Sequence, residues 1–476
     1  MKTKTTVLFI FLTFTILFSV NATSILPSTA EEIARKHLQI YHKADNYSVR
    51  ELQTFGSGDT IDFYVAHLSP VGFIMVTGDE RIHPVIGYSF TNNFGESEMI
   101  ARFFKETIRF MVNNASLLSS KYLYDVEQSR KLYLNDKSLE TRHFQQWPQE
   151  GTTLTGGLLS TQWTQTAPFN LLCPLDNGSR SYAGCPAVAM AQIMNYYRTT
   201  NQIVFGDSDD YNHNYTNQFT IDDDYLTWGF PSFPELNTYL DTLNVHWQNN
   251  VTLTDTDKAA LIFACGTVCN QVYSNQGSGT FGVYQAIAGY ERFGCENAEL
   301  YYSTDALLPV MVANIQNAHP VHYAVVDINN TYGHNVVVDG YNTDHYFHVN
   351  FGYGGQYDGW YLLPEEMPMG LTVLEGAICN IMTPGTEIPD ISKPENTLKI
   401  YPNPTSDIIT IEYENKLSEV ALLKIIDIKG EVVYQTEIKT PSISFNADTI
   451  GMPGLYFASL KFKSGKNIGV KKFILQ

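Results

Sequence analysis

The run Tyr182-Ala183-Gly184-Cys185-Pro186-Ala187-Val188-Ala189-Met190-Ala191-Gln192-Ile193-Met194-Asn195-Tyr196-Tyr197 restricts the possible folds more than any other part of the chain. Small and apolar residues recur at helical spacing behind a single cysteine, so the segment reads as a core helix with a thiol in its first turn. The positive end of a helix dipole favours a thiolate there. Gly184 and the alanines leave room for a substrate backbone to approach. A nucleophilic cysteine presented in this way needs a histidine from elsewhere in the chain. An isolated cysteine at a helix start is more often an ordinary buried residue, so the remaining sequence has to decide between the two.

At 476 residues the chain is too long for one ordinary core, and about two to four domains are expected. Lys2 and Lys4 precede an apolar run from Val7 to Val20, and Val20-Asn21-Ala22 offers small residues for cleavage. Residues 1–22 therefore read as an export signal. No later run is long and apolar enough to span a bilayer, so the mature protein is expected to be secreted or surface-bound with no membrane span. The net charge of −19 argues against nucleic-acid binding and against adhesion to anionic membranes through a basic patch. Six cysteines, Cys173, Cys185, Cys265, Cys269, Cys295 and Cys379, are too few and too scattered for a disulfide scaffold. With Cys185 reactive, at most two disulfides could form among the rest. No set of ligands clusters at zinc spacing, and the Asp222-Asp223-Asp224 run lacks the alternation and glycine of a calcium loop. No metal is expected.

Three regions follow the signal. The first, 23–150, opens on an amphipathic helix around Glu31–Leu38. It continues in antiparallel strands around Asp62–His67 and Gly72–Asp79, and returns to helical periodicity from Arg102 to Val112. Its polar end, Asp136 to Thr153, reads as an exposed, cleavable connection. The second region, 151–383, holds the Cys185 helix and several later strands, with a surface loop expected over Asp207–Tyr225. After a proline-rich acidic linker, 384–396, the third region, 397–476, shows short alternating segments between turn signals and no helical period. That pattern indicates a small β-sandwich without a catalytic cluster.

Among 12 histidines, His334 has the strongest context: it follows Gly333 and opens the run Asn335-Val336-Val337-Val338. A histidine at the mouth of a buried strand is rigidly placed and still faces a cleft. His322 is the serious rival; His319 lies nearby, and His345 and His348 fall on a hairpin where surface or stacking roles are expected. The imidazole needs an orienting partner, and Asn350, at the strand end before the turn Phe351-Gly352-Tyr353-Gly354-Gly355, offers an amide carbonyl. An oxyanion needs donors. The Cys185 backbone N–H supplies one and the Gln165 side chain a second, with Gln162 and Gln192 as alternatives.

These motifs, Trp163–Asn170, Ala183-Gly184-Cys185 with Met190–Met194, Gly333-His334, and Phe347–Gly355 followed by Asp358-Gly359, resemble the streptopain family of secreted cysteine peptidases within the papain-like superfamily. The likeness runs over most of residues 25–383, and the separation of Cys185 and His334 suits the roughly 130–150 residues usual between thiol and imidazole in papain-like enzymes. It implies an α+β fold: a two-part papain-like catalytic domain with a helical part and an antiparallel β part, preceded by an α+β propeptide. By the same resemblance Cys185 is the nucleophile, His334 the general base and acid, Gln165 an oxyanion donor and Asn350 the orienting residue. Ser278 and Gly279 form a wall of the substrate cleft and Gly333 contacts the substrate backbone. The substrates implied are proteins and peptides, the first region is an intramolecular inhibitor, and no cofactor is required. Two departures stand out: Pro186 where the family usually has valine, and Phe351 and Tyr353 where it often has tryptophan. The tail, through Tyr401-Pro402-Asn403-Pro404 and Val470-Lys471-Lys472-Phe473, is similar to sorting domains handled by type IX secretion machinery. A catalytically inactive surface-displayed binding protein on the same fold, or a transglutaminase-like acyl transferase, would share most of these features.

Overall fold

Helix α1 (Pro27–Ile40) begins with a proline in its first turn, where a missing N–H costs nothing, and buries Ala30, Ile33, Ala34 and Leu38 along one stripe. That stripe lies against an antiparallel meander of β1 (Ser48–Ser57), β2 (Thr60–Ser69), β3 (Phe73–Thr77) and β4 (Val85–Ser89). Helices α2 (Glu98–Asn113) and α3 (Ser120–Leu134) complete the first region. The computed structural model describes residues 24–476 except 59, 114–119, 135–143, 303–306, 327–332, 364–373, 382–398, 404, 406, 414–419, 428–431, 452–453, 463–466 and 476. The expected signal segment, the 384–396 linker and the upstream part of the expected cleavable connection lie outside the described residues.

Residues Met1–Pro384 form one compact unit and Gly385–Gln476 a second. The first and second regions thus share a unit, and a single sheet joins them. After β5 (Gln146–Trp147) come two small hairpins, β6 (Leu175–Asp176) with β7 (Ser179–Arg180) and β8 (Tyr211–Asn214) with β9 (Gln218–Ile221). Further strands are β10 (Glu299–Tyr301), β11 (Val321–Val326), β12 (Gly333–Asn342), β13 (Tyr346–Asn350), β14 (Gly359–Leu362) and β15 (Leu374–Cys379). The large sheet runs β1-β2-β3-β4-β14-β13-β12-β11-β15-β10, with β5 added to β12. Its two halves meet where β4 pairs with β14, Tyr88 opposite Trp360 and Gly87 opposite Tyr361. A Cβ at Gly87 would stand 2.5 Å from the Tyr361 ring, so this close approach needs glycine.

The helices of the second region are α4 (Cys185–Tyr197), α5 (Tyr225–Trp228), α6 (Phe233–Gln248), α7 (Asp255–Val268), α8 (Val283–Arg292) and α9 (Leu307–Gln316). Almost all of α4 is buried, as its all-round apolar sequence requires. It packs on α7 and α8 on one side and on β11 and β12 on the other. That contact brings the first turn of α4 to the seam between helices and sheet. Where a loop was expected over Asp207–Tyr225, the chain forms the β8–β9 hairpin. His213 provides the reason: its ring stacks on Phe219 at 4.2 Å, and its Nε2 accepts the Tyr273 N–H at 2.7 Å. The acidic run closes turns, as expected: Asp224 accepts from the Thr220 N–H and Asp222 from the Phe233 N–H. All six cysteines are free thiols, five of them buried, so no disulfide forms.

The second unit contains β16 (Lys399–Tyr401), β17 (Ile408–Glu412), β18 (Ala421–Asp427), β19 (Val432–Ile438), β20 (Ser442–Asn446), β21 (Gly454–Phe462) and β22 (Asn467–Leu475). A sheet β16-β17-β20 and a sheet β19-β18-β21-β22 share one core that includes Ile409, Ile411, Leu423, Ile425, Leu460 and Phe473. This is the β-sandwich read from the sequence. No helix among the described residues is long and apolar enough to cross a membrane.

Replacing Gly87 by valine drives its side chain into Tyr361. Overpacking of this kind costs about 1–3 kcal/mol. The full-length G87V variant should therefore melt several degrees lower and lose the first region faster in limited proteolysis. A melting curve and digestion rate matching the wild type would show that the β4–β14 joint does not need this glycine.

Candidate active site

Gly184 caps α4 at φ +82°, and a Cβ there would meet the Gln271 side chain at 2.4 Å. Gln271 in turn donates to the Ala183 carbonyl at 2.7 Å, which holds the entry to the helix. Pro186 falls in the first helical turn, where its lost N–H has no partner to miss. Cys185 is the one partly exposed thiol of the six. The backbone and the side chain of Asn335, the residue after His334 on β12, hydrogen-bond its sulfur. Burial pushes the Cys185 thiol up to about 11, against the pull of these Asn335 hydrogen bonds. A helix dipole contributes about 0.3–1 kcal/mol, which is less than one pKa unit at about 1.4 kcal/mol. Desolvation therefore outweighs the dipole that the sequence pointed to.

The His334 ring is buried, and its Nε2 lies 2.9 Å from the Phe351 carbonyl oxygen. A carbonyl can only accept, so Nε2 carries the proton and the neutral ring keeps its lone pair on Nδ1. Burial pushes the imidazole down to about 4, partly opposed by that carbonyl. With the thiol moved up and the imidazole moved down, each rests uncharged at neutral pH. The ring stacks on Tyr353 at 5.1 Å, and Tyr353 also lies within electrostatic reach of the Cys185 sulfur.

Asn350 does not receive the imidazole proton as expected. Its Oδ1 accepts from the Gly352 N–H at 3.0 Å and from Gln192 Nε2 at 3.0 Å, while its Nδ2 donates to the Thr161 carbonyl at 2.9 Å. The reason lies in the turn: Gly352 at φ +70° swings the chain so that the Phe351 carbonyl meets His334. Gly352 N–H and Phe351 C=O belong to one peptide unit, so Asn350 holds one end of the amide whose other end holds the imidazole. An amide whose N–H is bonded is the stronger acceptor.

Gln165 comes to the same place. Its backbone carbonyl accepts the Ala183 N–H at 2.8 Å, and its side chain hydrogen-bonds the Tyr353 hydroxyl. Of the alternatives, Gln162 is spent on Asn92 at 2.6 Å, and Gln192 is a buried amide tying Thr161, Trp163 and Asn350 together. At the expected cleft wall, the Ser278 hydroxyl bonds back to the N–H and C=O of Ser274, and Gly279 pairs with Val272. A Cβ at Gly279 would meet nothing within 4 Å and one at Gly333 only ordinary contacts, so neither glycine is demanded by packing.

The rival histidines take other places. His322 is fully buried between the Tyr290 hydroxyl at 3.0 Å and Asn335 Oδ1 at 2.7 Å, one residue behind the thiol. His319 bonds the Tyr197 hydroxyl, and His345 is exposed beside Tyr341. His348 departs from its expected surface role: it is buried in an ion pair with Asp339 at 2.6 Å. Among the described residues no group of His, Cys, Asp and Glu side chains could hold a metal ion. Sequence reasoning missed Asn335 and the Phe351 carbonyl. Strand alternation next to His334 could have flagged Asn335, but a backbone carbonyl leaves no signal in a sequence.

A partly exposed thiol opens a buried helix, and a histidine on β12, next to the Asn335 that bonds the thiol, has one ring nitrogen tied to a carbonyl. Residues 163–361 match the Peptidase C10 family, residues 22–110 the Spi protease inhibitor family, and residues 399–476 the secretion system C-terminal sorting domain. The chain carries a Peptidase C10 (streptopain) domain with a type IX sorting domain behind it. It is 26% identical to the thiol protease/hemagglutinin PrtT of Porphyromonas gingivalis, over 77% of this chain and 41% of that protein. The chain thus spans about two fifths of that relative's length. It is 25% identical to streptopain of Streptococcus pyogenes, over 70% of this chain and 82% of streptopain. A solved fragment of prointerpain A from Prevotella intermedia aligns with 70% of this chain and 98% of its own, at 22% identity and a TM-score of 0.49.

The raised thiol makes a measurable statement. In the full-length chain, alkylation of Cys185 by iodoacetamide should be on the order of a hundredfold slower than that of free cysteine at pH 7, and should accelerate only towards alkaline pH. Fast labelling that is flat between pH 6 and 9 would mean that the resting thiolate is already formed.

Proposed function

We propose that the chain is a secreted cysteine endopeptidase made as a zymogen. The observation that carries this reading is the tautomer: with Nε2–H committed to the Phe351 carbonyl, Nδ1 of His334 is the free base for the thiol side of the site. Cys185 Sγ gives its proton to Nδ1 and attacks the peptide carbonyl carbon. Imidazolium then protonates the leaving amine as the C–N bond breaks and a thioester remains. Water enters, loses a proton to Nδ1, and releases the acid with the thiol restored. The Cys185 backbone N–H and the Gln165 amide receive the developing oxyanion, for which Gln165 has to exchange the Tyr353 hydroxyl for substrate. Asn350 acts on His334 through the Phe351–Gly352 peptide. Ser278, Gly279 and Gly333 offer backbone rather than side chains to a bound peptide.

The first region acts as the intramolecular inhibitor. Its support is the shared sheet together with contacts behind the glycine-rich turn: Phe104 lies 6.0 Å from Phe351, Phe94 lies 4.9 Å from Tyr357, and Asn92 bonds Gln162. Removal of this region re-wets the site, which lowers the Cys185 pKa and raises that of His334. Both shifts favour the reactive ion pair. The sorting domain directs export to the cell surface or beyond it, through type IX machinery.

Maturation is expected upstream of residue 144. The stretch after it is not a free connection: β5 pairs with β12 (Trp147 with Tyr341, Gln146 with Asn342), so a cut at 148–155 would strip a strand from the catalytic sheet. N-terminal sequencing of the active form should start before Gln146. A start after Pro148 would exclude this arrangement.

In matured enzyme, Cys185→Ala should abolish both peptide hydrolysis and labelling by an epoxide inhibitor of thiol peptidases. Undiminished turnover, or a wild-type protein that binds peptides without cleaving them, would favour the binding-protein reading instead. Cross-linked rather than hydrolysed products would favour acyl transfer to amines.

A further inference from the structure

The geometry points to Asp358 as a positioning residue for His334, acting through the backbone of Phe351. The inference rests on the peptidase reading of the site. Asp358 is completely buried, and its Oδ1 accepts the Phe351 N–H at 2.8 Å. The carbonyl of the same residue accepts His334 Nε2–H at 2.9 Å. One residue, Phe351, therefore carries a hydrogen bond on either side of its Cα, the first to Asp358 and the second to the imidazole. Asn350 Oδ1 holds the next N–H, that of Gly352. Two side chains thus fix both peptide units flanking Phe351, and only one of them is an amide.

The second oxygen of Asp358, Oδ2, is buried without a hydrogen-bond partner. An unpaired buried carboxylate oxygen costs free energy that packing alone does not explain, and a neutral amide or an apolar residue would serve a purely structural turn at lower cost. The charge does one thing a neutral acceptor does less well: a charge-assisted bond to the Phe351 N–H is shorter and about twice as strong. The titratable groups facing Asp358 come from three strands. They are His348 from β13, Asp339 from β12 and Tyr361 from β14, and Tyr361 in turn faces Tyr357. Burial, which works against the charged ring, is overcome by Asp339, which holds the His348 pKa above its ordinary value. Burial also pushes Asp358 up to about 7, with the Phe351 N–H and His348 pulling the other way. Its carboxylate is thus gained as pH rises through neutrality, and the clamp on Phe351 tightens in that direction.

The test uses the matured enzyme, with wild type assayed alongside two variants. Asp358→Ala removes the acceptor. Its kcat should fall at least tenfold with KM within twofold, and the acid limb set by His334 should move to lower pH, because the carbonyl that supports the protonated ring is no longer held. Asp358→Asn keeps an acceptor and the shape but not the charge. It should fold, retain most of kcat at alkaline pH, and lose the rise in kcat through about pH 7 that the wild type shows. A variant that lowers only thermal stability, with kcat per folded molecule and the pH profile unchanged, overturns the proposal. Should Asp358→Ala fail to fold, Asp358→Asn decides alone: persistence of the wild-type rise through neutrality overturns it and loss of the rise supports it. A wild-type enzyme with no peptidase activity would instead reject the peptidase reading on which the proposal rests.

Discussion

The hydrogen bond from His334 Nε2–H to the Phe351 carbonyl fixes the state of the imidazole around which the rest of the site is arranged. A carbonyl has no proton to offer, so the tautomer is decided and the lone pair is left on Nδ1. Everything around this bond keeps the carbonyl in place. Asn350 holds the N–H of the same peptide unit, and Asn350 is itself tied to α4 through Gln192 and to the Thr161 backbone. The helix that presents the thiol and the turn that aims the imidazole are therefore linked by one buried amide network.

The thiol and the imidazole are desolvated together, with opposite consequences. Burial raises the acid and lowers the base, so each group stays neutral at physiological pH. Such a state suits the zymogen reading proposed above. The same sheet that positions His334 continues without a break into β4 of the first region. Strand pairing at Tyr88–Trp360 and Gly87–Tyr361 gives that region a backbone-bonded contact whose close approach leaves little tolerance for added bulk.

Much of the fold is legible in the sequence. Apolar residues all round the segment after Cys185 marked a fully buried helix, and the valine run after His334 marked a core strand, because burial imposes these patterns directly. The sandwich of the tail was equally legible from its period and turns. The Asp207–Tyr225 segment was misread, since its acidic surface masks one inward ring, His213, on which the hairpin is built. His348 was misread for a related reason: strand alternation says which face a residue takes, not that Asp339 waits there to neutralise it.

The helix that begins at Cys185, the strand that carries His334 and the sandwich of the tail follow from the sequence alone, because local period and turn chemistry are local properties. Which group holds the imidazole was decided only by tertiary structure. Asn350 and the Phe351 carbonyl belong to adjacent residues, and Gly352 at φ +70° chooses between them by turning the backbone. The neutral resting state was likewise decided in three dimensions, since desolvation depends on every element packed around a group and not on its neighbours in sequence.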